Sequence, residues 1–325
     1  MNKQTKNVIK IVLPLILGVV LVWYSLSKMP MSELLSYFKE ANYTWIGLGV
    51  LLGVLSHLSR AYRWKFMINP MGYKLHIPNS FMAVMAAYLI NYTIPRAGEI
   101  SRASIVANYE GIPFEKGFGT IVAERIADLV MMLLIIAITL FLEFEYIYDF
   151  FAERFDTNKI LIGIGGLIVL SIVFVLFIRR SNSKLALKIK GFVAGLIEGV
   201  LSIFKMKQKW AFVGHTLFIW LMYVLMFYVT TFALDETSGI PFAAILIGFI
   251  SGSFSIAATN GGVGSYPVAI FLAFSFFGIA EDASMAFGWI MWTAQTLMVI
   301  VLGGLSLLFL PIYNKSQEKN TSELT

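Results

Sequence analysis

Six apolar runs of helical length leave this chain few ways to fold. They are Ile11–Ser27, Tyr43–Ser59, Phe118–Leu142, Lys159–Ile178, Trp210–Leu234 and Ala283–Leu310. Each lies close to or above the roughly 20 residues that carry a helix across a hydrocarbon core about 30 Å thick. In that medium a spanning segment has no water to bond, so its backbone must satisfy its own N–H and C=O groups, as a helix does. Composition agrees. The chain is 58% hydrophobic and only 14% charged, against about 25% charged in soluble domains, and its mean hydropathy is +0.78.

The same composition excludes several kinds of chemistry. There are no cysteines, so disulfides and thiolate sites are absent. His57, His76 and His215 are scattered without metal-ligand spacing, and neither a metal nor another cofactor is expected. The net charge of +6 reads as the cytoplasmic bias of Lys and Arg in a membrane protein, not as a nucleic-acid surface. Lys3, Lys6 and Lys10 ahead of an apolar run resemble a signal peptide. That run is longer than a usual signal core, and Ser25-Leu26-Ser27 is a poor cleavage site, so an uncleaved first span is expected.

Two further apolar stretches, Pro78–Thr93 and Pro241–Thr259, each run into a Pro/Gly-rich break and a second short helix. The breaks are Ile94-Pro-Arg-Ala-Gly-Glu99 and Asn260-Gly-Gly-Val-Gly-Ser-Tyr-Pro267. Irregular backbone at membrane depth needs protein or water around it, and both stretches read as re-entrant hairpins. Charges support this. With the N-terminus inside, Arg60, Arg63, Lys65, Lys74 and the basic stretch Arg179 to Lys209 fall inside, while the acidic stretch Glu143 to Asp156 falls outside. Reading either hairpin as a full span spoils that pattern.

The two hairpin regions share landmarks: Ile77-Pro78 and Ile240-Pro241, Gly111-Ile112 and Gly278-Ile279, Phe118-Gly119 and Phe287-Gly288. The expected fold class is therefore an all-α polytopic membrane protein with about six transmembrane helices and two re-entrant helical hairpins in an inverted-topology repeat. It is one membrane domain over 1–325, with a first repeat at about 43–142 and a second at about 210–310. An amphipathic helix at about 183–207 carries Leu185, Ile189, Phe192, Leu196, Val200 and Phe204 on one stripe. It reads either as an interfacial helix or as a linker helix packed on the bundle.

Inverted repeats place a substrate near the midplane, framed by broken helices. Charge points the same way. A charge at mid-bilayer costs roughly 2.5–3.5 kcal/mol on insertion scales, so intramembrane ionic groups face a protein interior or a wet cavity. Candidate substrate-binding residues are Arg60 and Arg63 on the second span, and Arg96, Glu99 and Arg102 at the first break. Glu124, Arg125 and Asp128 in the following span join them. Arginine's planar fork suits phosphate or carboxylate. A bland alternative has Arg125 pairing with Glu99 or Glu124 to lock the hairpin. At the second break Asn260, Gly261, Gly262 and Gly264 carry no charge; their backbone N–H groups either contact a ligand or simply let two helices touch. No phosphate-binding GxxxxGK[ST] loop, HExxH or convincing Ser-His-Asp set exists, so no enzyme activity is expected.

Arg60-x-x-Arg63-Trp64, Asn91-x-x-x-Pro95-Arg96-x-Gly98-Glu99-x-x-Arg102, Glu124-Arg125-x-x-Asp128 and Gly261-Gly-x-Gly264 together resemble the flippase-like integral membrane family. That family is related to the transmembrane region of lysylphosphatidylglycerol synthases. Asn260 stands where the family usually has proline, and Tyr266-Pro267 stand near the family's acid. The soluble aminoacyltransferase domain is not read in these residues. The resemblance implies translocation of a phosphate-bearing or aminoacylated membrane lipid, with Asn91, Pro95 and Gly98 added to the binding set. The setting implied is the inner (plasma) membrane, with both termini cytoplasmic. Two alternatives stand beside it: a membrane-embedded transferase on a lipid-linked substrate, and a non-transporting partner of a lipid-modifying enzyme. A homo-oligomer stays open, since Gly195-x-x-x-Gly199 is too weak a signal to decide it.

Overall fold

Most of the helices form on apolar stretches, and several end at a Pro, Gly or capping side chain, although the last helix runs on through Pro311. The computed structural model describes residues 16–322, apart from 17, 95, 146, 147, 150, 151, 153–156 and 260, and no strand occurs among them. A helix over 18–28 (α1) leads into the short α2, Met31–Glu40. Asn42 then caps α3, Tyr43–Ile68, its side chain accepting from the Thr44 N–H at 3.0 Å. Next come α4 (Ile77–Thr93), α5 (Ala97–Glu110), α6 (Phe114–Leu142), α7 (Thr157–Arg180) and α8 (Lys184–Lys205). They are followed by α9 (Lys209–Thr231), the single turn α10 (Asp235–Ser238), α11 (Phe242–Ala258), α12 (Ser265–Ser275) and α13 (Glu281–Ser322).

Among the described residues, four stretches are long and apolar enough to cross a membrane: Tyr43–Met71, Phe114–Leu142, Lys209–Thr231 and Glu281–Ser316. They coincide with four of the expected spans. Part of the first expected span lies outside the described residues, and α7 covers the run from Lys159 to Ile178. The second expected span is longer than anticipated: α3 continues nine residues beyond Ser59, through Arg60 and Arg63. Both arginines are buried, so the interior holds the helix past the point where apolar side chains give out.

The chain divides into two compact units, Met1–Val122 with Trp210–Thr325, and Ala123–Lys209. In the first, α4 and α5 form an antiparallel hairpin. At its mouth Glu110, at the end of α5, accepts from Asn79 at 2.6 Å and lies 2.8 Å from His76 at the start of α4. At its tip Ile94 is extended, as a residue before proline prefers. Arg96 takes a left-handed conformation (φ 63°), and the Gly98 N–H donates to the Asn91 side-chain oxygen at 2.8 Å. Asn91 thus caps α5 from the neighbouring arm. A Cβ on Gly98 would run into the carbonyl oxygen of Ala87, so only glycine permits this approach.

α11 and α12 repeat the design. Ser255 and Ser265 hydroxyls meet at 2.7 Å near the tip, and Gly248 packs under Phe274 near the mouth. Its core is an aromatic set: Phe227 meets Phe287, Phe249 and Phe274 edge-on at 5.2, 6.2 and 6.4 Å.

The long helix α13 organises both hairpins. Along it from the N-terminus, Gly288 touches Pro267, and Trp292 donates to the Gly261 carbonyl at 2.7 Å. Thr296 meets the Tyr92 hydroxyl at 3.3 Å, Gly303 packs on Met85 and Leu89, and Asn314 bonds Asn79 at 2.8 and 2.9 Å. The second hairpin therefore packs on the N-terminal third of α13 and the first hairpin on the stretch beyond it. Their tips meet beside Trp292 and Thr296, with the Tyr92 ring against Gly261, and their mouths open toward opposite ends.

Gly98→Ala should lower stability by about 1–3 kcal/mol through overpacking, read as a fall in the midpoint of detergent-solubilised thermal unfolding. Gly119→Ala, where nothing lies within 4 Å of the added carbon, should be neutral or slightly stabilising.

Candidate functional site

Three arginines of the first unit are buried: Arg60 at 4%, Arg63 at 0% and Arg102 at 5% exposure. Burying a charge is costly unless other groups interact with it, and the surroundings supply such groups. The Arg63 Nη1 donates to the Thr216 hydroxyl of α9 at 2.7 Å, and its guanidinium lies 5.0 Å from the Phe212 ring centre. Arg102 of α5 stacks over Trp64, 3.8 Å from the ring centre, a close cation–π contact. The Trp64 indole N–H is in turn held by the Thr120 hydroxyl of α6 at 2.7 Å, and Thr120 bonds the Gly117 carbonyl.

One turn earlier His57 lies among the rings of Tyr88 and Tyr223, and Ser59 bonds His215 at 2.7 Å. The ladder Ser59–His215, Arg63–Thr216 runs between α3 and α9, the leading helices of the two expected repeats. Near the other end of the pair, Gly49 and Gly53 approach Met226 and Thr230. The two helices are thus antiparallel. The buried guanidinium groups sit beside the first hairpin, bounded by α3, α5, α9 and the start of α6.

The remaining candidates divide by position. Arg96 is exposed at the first tip and Glu99 half-buried one turn into α5. Asn91 and Gly98 make the tip itself and are used in closing it. Pro95 and Asn260 lie outside the described residues. Gly261, Gly262 and Gly264 all have positive φ, and Gly261 and Gly264 pack against Tyr92 and against Gly18 and Val22. Of the two readings of that glycine break, the contacts support close packing of chain segments. Glu124, Arg125 and Asp128 belong to the second unit. There Glu124 is buried at 1% exposure, while the Arg125 side chain is 48% exposed and 3.9 Å from Asp128. No group of His, Cys, Asp and Glu suited to a metal occurs among the described residues.

A family model described as the lysylphosphatidylglycerol synthase transmembrane region matches residues 11–304. The chain belongs to that family. It is also similar to the UPF0104 membrane protein MJ1595 of Methanocaldococcus jannaschii, at 24% identity over 95% of this chain and 96% of that protein. No solved structure matches it. Within this synthase-transmembrane-region framework, sequence reasoning picked out the buried arginines but not their holders, Thr120, Phe212 and Thr216. Trp64 was part of the motif, and its spacing of four from Arg60 was the available signal that both share a helix face. Thr216 and Phe212 come from a helix some 150 residues away, and no local pattern announces them.

Thr216→Val, which keeps the shape but removes the acceptor from buried Arg63, should cost about 1.5–3 kcal/mol, the range for hydrogen bonds to charged groups. Denaturant titration of the purified protein checks it.

Proposed function

We propose that this membrane protein translocates a lipid carrying a phosphate, without changing it covalently. The observation that carries the reading is the pair of hairpins that meet tip to tip beside Trp292 and Thr296 of α13 and open toward opposite ends. Their arms have 17 and 14 residues in one hairpin and 17 and 11 in the other. At 1.5 Å per residue these are roughly 25, 21, 25 and 17 Å long, all short of a hydrocarbon core of about 30 Å. They read as re-entrant elements entering from opposite leaflets. Together with the antiparallel α3 and α9 they make an inverted-topology repeat suited to alternating access.

The headgroup phosphate engages Arg63 and Arg102, with Arg60 adjacent, and the acyl chains remain in the bilayer. Guanidinium groups offer phosphate two parallel donors, and the hydroxyl and aromatic holders fix the fork in place. This moves the binding role from the space between the hairpin tips, which their mutual packing fills, to the flank of the first hairpin. The family, whose description names a synthase of an aminoacylated phospholipid, supports a lipid as the transported species. The positive bias of the loops supports cytoplasmic termini in this reading, and the family resemblance supports a plasma-membrane setting. A lipid-modifying enzyme upstream of the transport step is the partner this reading implies.

The test is a fluorescent-lipid translocation assay in reconstituted vesicles, run across anionic, zwitterionic and aminoacylated lipids. Arg63→Gln and Arg102→Gln should each lower the rate at least about tenfold, equivalent to some 1.4 kcal/mol, in protein that remains monodisperse. Rates equal to wild type for every lipid would remove the assignment. The topology has its own check in a chain without native cysteine. His76→Cys and Ser275→Cys, at the two hairpin mouths, should react with an impermeant thiol reagent from opposite faces of the membrane.

A further inference from the structure

The helix α8 is not used by the transport reading, yet with its flanks it holds the largest cluster of basic residues in the chain. Residues 179–209 contain eight basic side chains, Arg179, Arg180, Lys184, Lys188, Lys190, Lys205, Lys207 and Lys209, and one acid, Glu198. That local excess of seven is larger than the net +6 of the whole chain. Arg179, Arg180, Lys184, Lys188 and Lys207 are exposed, and Lys190 bonds the Ser181 carbonyl at 2.9 Å, tying the start of α8 to the loop before it.

One aliphatic row of the same helix is also exposed. Val193, Ile197 and Leu201, spaced by four, form one stripe and are 46%, 56% and 52% exposed. Ser183 caps the helix through the Ala186 N–H at 3.2 Å, so α8 begins as a separate element after α7. Five charges in 22 residues argue against a span. Lys184 and Lys188 lie on the side of the helix away from this stripe, while Lys190 turns back to the preceding loop; cations set against bulky aliphatic groups are the pattern of a helix lying in a membrane interface.

We propose that α8 and its basic flanks form a docking surface for anionic phospholipids. Val193, Ile197 and Leu201 rest in the acyl boundary while the Lys and Arg heads meet the lipid phosphates. Charge complementarity selects the occupant: a zwitterionic lipid satisfies the apolar stripe equally well but gives the excess of seven cations no net counter-charge. Basic juxtamembrane clusters of this size concentrate anionic lipid at a surface. The surface is independent of the arginine site of the first unit and does not rest on the transport assignment.

The absence of cysteine makes the test direct. Full-length protein carrying Ile197→Cys is labelled with an environment-sensitive fluorophore and reconstituted in mixed phosphatidylglycerol and phosphatidylcholine vesicles. Bromine is placed on either lipid at the same mole fraction. Val173→Cys on α7, itself 55% exposed, reports the bulk lipid ratio. At position 197 brominated phosphatidylglycerol should quench about twofold more than brominated phosphatidylcholine, while position 173 shows no such preference. The preference should vanish in about 1 M salt, where the screening length falls to roughly 3 Å. It should also vanish with Lys184→Glu and Lys188→Glu together, and Lys184→Gln with Lys188→Gln should weaken it. Equal quenching by the two lipids at low salt overturns the proposal. So does an absence of quenching by either, which would mean that protein covers the stripe.

Discussion

Broken helices survive inside a membrane only when the backbone groups freed at the break find partners within the protein. The two hairpin tips meet this demand in matching ways. In the first, the Asn91 side chain takes the Gly98 N–H; in the second, the Thr259 hydroxyl faces the Gly262 N–H at 3.2 Å and the Trp292 indole donates to the Gly261 carbonyl. Each unpaired buried amide would cost several kcal/mol in hydrocarbon. These few bonds are what allow each hairpin to reverse its direction. They also explain the tip-to-tip arrangement, because each tip covers the other: Tyr92 of one lies on Gly261 of its counterpart.

From that constraint the rest of the first unit follows. Two short hairpins facing opposite ways need a rail of full length, and α13 supplies it, touching one hairpin through Gly288 and Trp292 and the other through Thr296, Gly303 and Asn314. The antiparallel pair of α3 and α9 then closes the flank, and the arginines sit where that pair meets α5 and the start of α6. Hydroxyls and aromatic faces hold Arg63 and Arg102 in set orientations. A fork held in this way has less ordering left to undergo if it meets the paired oxygens of a phosphate or carboxylate.

Much of this was legible in the residues themselves. Pro78 and Pro241 marked the hairpin entrances, and the Pro/Gly clusters marked both breaks, because proline and glycine act on the local backbone whatever surrounds them. The spans were legible because apolar length is a one-dimensional property. The extent of α3 was less so, since Arg60 and Arg63 look like an interfacial end until their buried setting is known. The second glycine break was ambiguous between ligand contact and packing; the close approach of Tyr92 and of Gly18 and Val22 favours packing.

By itself, then, the sequence determined that the chain is helical, that it belongs in a membrane, where it breaks, and which ionic residues lie within the apolar segments. These follow from hydropathy and from backbone sterics, both of which act over a few residues. Only the tertiary structure decided which arginines are buried together and what holds them. It also decided that the hairpins meet at their tips and open apart. Those outcomes depend on contacts between residues such as Arg63 and Thr216, or Tyr92 and Gly261, more than 150 positions apart. Whether such groups meet is settled by how the helices pack, and no local pattern encodes it.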